Sequence, residues 1–76
     1  MSHLPQVNGT RLVRALEKAG FVQLRQVGSH VALRHRDDPT RRTTVPVHPG
    51  KDIPPGTLRS ILRGAKLDIE ELRQLL

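Results

Sequence analysis

The dipeptide Gly28-Ser29 constrains this chain more than any other feature, because it separates two runs with the twofold alternation of half-buried strands. From Phe21 to Val27, Val22 and Leu24 take one face while Gln23 and Arg25 take the other. From 29 to 36, Val31 and Leu33 stand against His30, Ala32 and Arg34. A two-residue hairpin loop at Gly28-Ser29 pairs Leu24 with Leu33 and Gln26 with Val31. The other face then carries His30 opposite Val27, Arg25 opposite Ala32 and Gln23 opposite Arg34. A slip of one residue would send the leucines to opposite faces, so the pattern selects one register. Phe21, the only aromatic residue, also falls where a core residue belongs.

Residues 1–7 read as an extended lead-in, and Asn8-Gly9-Thr10 as the start of a helix over 9–19 whose apolar stripe is Leu12, Val13, Leu16 and Ala19. Gly20 suits the left-handed residue that ends it. Asp37-Asp38-Pro39-Thr40 is a turn cluster, followed by a third strand over 43–48 with Val45 and Val47 inward. Pro46 lacks a ladder donor and makes that strand an edge. By parity Thr44, Pro46 and His48 point outward, so His48 can share a face with His30. A second helix begins at Gly56-Thr57 and buries Leu58, Ile61, Leu62 and Ala65; Gly64 weakens it and predicts fraying there. Asp68 and Glu71 form a capping box between Leu67 and Leu72, opening a short helix over 69–75. The expected architecture is α+β, α-β-β-β-α, a three-stranded antiparallel sheet with helices on one face and a short extra C-terminal helix.

Seventy-six residues predict a single domain over 1–76, and chains this short bury only about 60% of their unfolded surface. An active site is therefore expected on an open face. Thirteen Lys and Arg, mostly arginine, against seven acids give a net charge of +6. The arginine fork suits phosphate, so a polyanion is the first partner class, with nucleic acid ahead of membrane. A basic domain without such a partner remains the alternative on charge alone. Without cysteine there is neither disulfide nor thiolate chemistry. Met1 to Pro5 has no signal-peptide pattern, and no apolar run reaches the roughly 18 residues of a membrane span, which predicts a cytoplasmic protein.

Metal and cofactor chemistry find no support in the residues. His30 and His35 point to opposite strand faces, His3 lies in the lead-in, and no cysteine completes a ligand set. His48-Pro49-Gly50-Lys51 and Gly56-Thr57 hold P-loop ingredients in the wrong order. A lone phenylalanine, placed where a core residue belongs, disfavours a base-stacking, sequence-reading platform. Metal-free RNA cleavage remains open, since RNA carries its own 2′-hydroxyl nucleophile and needs proton transfer and charge stabilisation. His30 fits the proton-transfer role, with Arg25, Arg34 and Ser29 nearby; equally, it reads as a solvated strand histidine.

The joint run of Gly20-Phe21, Arg25, Gly28-Ser29-His30, Val45-Pro46-Val47-His48-Pro49-Gly50-Lys51 and Gly56-Thr57-Leu58-Arg59-Ser60-Ile61-Leu62 resembles the HicA toxin family across residues 5 to 70. The resemblance implies a double-stranded-RNA-binding-domain-like fold and an mRNA interferase neutralised by a HicB antitoxin. DNA would be met only indirectly, through the antitoxin. It also implies His30 as catalytic residue. Many members carry a second histidine directly after it, where this chain has Val31. His48 matches the other recurrent histidine, as substrate contact, proton-transfer partner or turn residue. Lys51, Arg25, Arg34 and Ser29 are the expected substrate contacts, and Gly28 the turn residue that aims His30. The alternative is a non-catalytic RNA-binding module of the same fold.

Overall fold

The computed structural model describes residues 3–76. Along the chain run α1 (Gly9–Lys18), β1 (Phe21–Val27), β2 (His30–His35), β3 (Arg42–Pro46), α2 (Pro55–Ala65) and α3 (Ile69–Leu75). The strands form an antiparallel sheet in the order β1-β2-β3, so β3 is an edge, as its proline requires. The architecture is α+β, with the expected α-β-β-β-α order and the extra C-terminal helix.

Local chemistry sets the helix ends. Asn8 caps α1 by accepting the Arg11 amide at 2.8 Å, and Gly20 follows it at φ +101°. Asp68 and Glu71 exchange both bonds of the capping box, at 2.7 and 3.2 Å, while Leu67 and Leu72 are buried on either side. Gly64 does not fray α2. The helix runs on to Ala65, and Lys66 supplies the left-handed cap at φ 54°. A Cβ at Gly64 would come within 2.6 Å of the Arg42 carbonyl, so the glycine lets α2 press onto β3. Two bonds fasten that contact: Thr43 Oγ1 to the Ile61 carbonyl at 3.1 Å and Arg41 Nε to the Ala65 carbonyl at 2.8 Å.

The core joins Leu12 and Leu16 of α1, Val31 and Leu33 of β2, Val45 of β3, Leu58 of α2 and Leu72 of α3, all buried. Burying each such leucine stabilises the fold by about 1.5–3 kcal/mol.

The strand register departs from expectation in β1. Val27, Gln26 and Arg25 pair with His30, Val31 and Ala32 as the hairpin predicts. The register then shifts at Leu24, and Gln23 pairs with Leu33, Val22 with Arg34 and Phe21 with His35. The expected pairs Leu24–Leu33 and Gln23–Arg34 are therefore wrong, and Val22 and Leu24 are not core residues but 41% and 42% exposed. Phe21 and Leu24 are an odd number of residues apart and cannot both point inward along a regular strand. The extra residue of a bulge resolves the conflict in favour of Phe21. The aromatic ring buries more area than either aliphatic residue. It meets the His35 ring edge-on at 5.2 Å and lies beneath the Arg41 guanidinium at 5.3 Å. Gln23, turned to the helix side, donates to Glu17 of α1 at 3.4 Å.

Candidate catalytic face

His30 is the first residue of β2 and is exposed. The turn before it has Gly28 at φ +58° and no positive φ at Ser29, the signature of a type II′ hairpin. Nothing lies within 4 Å of a Cβ built at Gly28, so its requirement is conformational and not one of space. Pro46 of β3 pairs with His30 on the other side. The ladder extends one bond beyond, from the Val47 amide to the Ser29 carbonyl at 2.6 Å. Ser29 thus carries a structural bond through its backbone, and its half-buried side chain accompanies the turn. Behind this end of the sheet, a Cβ at Gly9 would strike the Pro46 carbonyl and approach the Val47 Cα to 2.8 Å. The first turn of α1 therefore braces the strand beside His30.

Ala32 and Arg34 share the face of His30 by alternation along β2, and cross-strand pairing adds Val27, Arg25 and Val22 from β1 and Pro46, Thr44 and Arg42 from β3. This face holds no acidic residue. Among the described residues the ion pairs are Arg36–Asp37 and Glu70–Arg73, and no side-chain hydrogen bond engages Arg25, Arg34, Arg42 or Lys51. Arg34 Nε is shielded from water and has no acceptor. The sequence reading missed Arg42; its signal was parity with Thr44, hidden because β3 begins one residue earlier than expected.

β3 stops at Pro46, so His48 lies two residues past the strand, exposed, with its carbonyl accepting the Lys51 amide at 3.1 Å. Gly50 sits in that turn at φ +73°, and Lys51 is exposed. The segment is tied to the lead-in by the Asn8–Asp52 bridge and the bond from the Ile53 amide to the Val7 carbonyl at 2.8 Å. α2 makes a poor anion cradle, because Pro54 and Pro55 at its N-cap and first position carry no N–H. His35 is structural: its Nε2 lies 3.0 Å from the Ala19 carbonyl, and its Nδ1 accepts the Asp37 amide at 3.1 Å. Among the described residues no group of three His, Cys, Asp or Glu could hold a metal ion, and no helix is long and apolar enough to cross a membrane.

The arrangement offers the exposed His30 imidazole at a two-residue turn, with Arg25, Arg34 and Arg42 farther along the same face and paired with no carboxylate. In comparison with known families, a model described as the HicA toxin of bacterial toxin–antitoxin systems matches residues 9–67. Among curated proteins the comparison finds no match.

Proposed function

From the premise that this chain belongs to the HicA toxin family, which makes it the toxin of a toxin–antitoxin system, we propose that it is a metal-independent endoribonuclease that cleaves mRNA with His30. The observation that carries the reading is the exposed His30 at a braced type II′ turn, on a sheet face with cations and no carboxylates.

The chemistry needs three things from the protein. A base removes the proton of the RNA 2′-hydroxyl, whose oxygen attacks the adjacent phosphorus. Cations stabilise the charge of the pentavalent phosphorane. An acid protonates the departing 5′-oxygen as its bond to phosphorus breaks, leaving a 2′,3′-cyclic phosphate and a 5′-hydroxyl. His30 performs one of the two proton transfers, and His48 or water performs the other. Lys51 and Arg25 hold phosphates, and Ser29 contacts substrate beside the turn. Arg34 stands four residues along β2 from His30, about 13 Å at 3.3 Å per residue, and reaches only a neighbouring phosphate.

A HicB antitoxin neutralises the protein by covering the open sheet face, so RNA and antitoxin compete for it. Induction in cells tests the whole reading. The chain produced alone arrests growth, and co-production of a HicB-type antitoxin restores it. Normal growth with the chain accumulated in folded form would refute the toxin assignment's nuclease basis.

A further inference from the structure

The outward side of β1 is unlike a nucleic-acid surface. Val22, Leu24 and Val27 are the exposed large apolar side chains among the described residues, at 41%, 42% and 65%. Val22 pairs with Arg34, and Arg34 with Arg42. Leu24 lines a shallow depression together with Arg25, Ala32, Arg42 and Thr44. Arg34, whose Nε is shielded and has no acceptor within the fold, stands two residues farther along β2 from Ala32.

RNA would leave half of this surface unused. Phosphates and stacked bases can both be met by arginines, but Val22 and Leu24 offer RNA neither a charge nor a stacking plane. Exposed apolar side chains set beside arginines instead suit a protein partner, since burying them is favourable and arginine is enriched at interfaces. The absence of acidic residues on the face calls for carboxylates from the partner. The bulge at Leu24 interrupts the β1–β2 ladder and bends β1, which disfavours strand addition on its free edge and leaves side-chain contact on the face.

Resting on the reading that an antitoxin binds this chain, we propose that Val22, Leu24, Arg34 and Arg42 form its anchoring patch, occupied by a segment that alternates carboxylate and apolar side chains. The patch lies at the opposite end of the sheet face from His30. Anchoring and catalysis are then separable, and His30 is covered because the partner is held next door.

The test is a full-length double variant, Val22→Gln with Leu24→Gln, which removes apolar surface without changing charge. By calorimetry it is measured against a HicB-type antitoxin that neutralises the chain, and by cleavage rate against RNA. The expected result is antitoxin binding weaker by at least about tenfold, with RNA cleavage within about twofold of wild type. Arg42→Gln should weaken antitoxin binding in the same direction. Unchanged antitoxin affinity, or equal losses toward antitoxin and RNA, would overturn the patch. Failure of the nuclease reading looks different: wild type would bind the antitoxin and cut nothing, while the double variant still lost binding. Hydroxyl-radical footprinting of wild type gives an independent readout should the variant fold poorly. Val22 and Leu24 labelling should drop when antitoxin is added; no drop with antitoxin overturns the proposal.

Discussion

On the helix side of the sheet, Phe21, Val31, Leu33 and Val45 are buried, and Gly9 and Gly64 let helices press onto strand backbone. On the opposite side the same strands present His30, Arg25, Arg34 and Arg42 with no carboxylate among them. Alternation along β2 separates the two sets residue by residue, so Val31 holds the fold while His30 beside it is free for chemistry. In a domain this small, stability is concentrated on one side and the other is left to function. Substitutions on the helix side should therefore act through unfolding, and those on the open side through activity at unchanged stability.

The largest stability effect is expected from Leu33→Ala, which empties a position 1% exposed at the centre of β2. A loss of about 2–5 kcal/mol is expected in denaturant unfolding, with activity following the folded fraction. A loss below about 1 kcal/mol would mean that the sheet's packed side is not where stability resides. Gly64→Ala comes next, because the added Cβ meets the Arg42 carbonyl at 2.6 Å and backbone must move. Helix propensity favours alanine by about 1 kcal/mol, whereas overpacking costs about 1–3 kcal/mol. The net change should be destabilising, and a raised melting temperature would show that α2 has room to shift.

Gly28→Val probes the border between the faces. Its φ of +58° at the first position of a type II′ turn costs a β-branched residue about 1–3 kcal/mol, with no clash to add to it. On the reading that the turn aims His30, cleavage should fall by more than the lost stability accounts for. A proportionate fall would make Gly28 a stability residue alone.

The smallest effect is expected at Asp38 in the β2–β3 turn. Its carboxylate accepts from the Thr40 hydroxyl at 2.6 Å and the Thr40 amide at 3.0 Å, and the Thr40 hydroxyl bond is the main reason its pKa is lowered, with Lys66 and Arg41 assisting. A group whose folded pKa is depressed contributes stability above its unfolded pKa and loses it as pH falls through the folded one. Asp38→Asn should therefore lower the melting temperature slightly near neutral pH and match wild type once pH is well below the ordinary carboxylate range. A difference that persists unchanged in acid would trace to the amide's geometry and not to charge.

Much of the fold was legible because its signals are local. Asn8, Gly20, Gly28 and the Asp68–Glu71 box each act over a few residues, and each stands where its chemistry predicts. The upper half of β1 was not legible. Whether Phe21 or the Val22–Leu24 pair turns inward depends on His35 and Arg41, which lie 14 and 20 residues away from Phe21. The role of Gly64 was hidden for the same reason, since its neighbour is the Arg42 carbonyl of another element. On the open face, His30, Arg25 and Arg34 could be assigned to one side by alternation from the turn. Arg42 and the apolar patch could not, because they follow from a strand boundary and a bulge.

The central claim is that His30 carries metal-free RNA cleavage on a face that contributes little to stability. It is tested most directly by incubating wild type and His30→Ala with RNA in excess chelator and analysing the fragment ends, alongside thermal melts. The account predicts 2′,3′-cyclic phosphate and 5′-hydroxyl ends from wild type. From His30→Ala it predicts no cleavage, with a stability change within about half a kcal/mol, as expected for an exposed strand residue. Wild-type cleavage by a folded His30→Ala protein, or cleavage that chelator stops and magnesium restores, would contradict it.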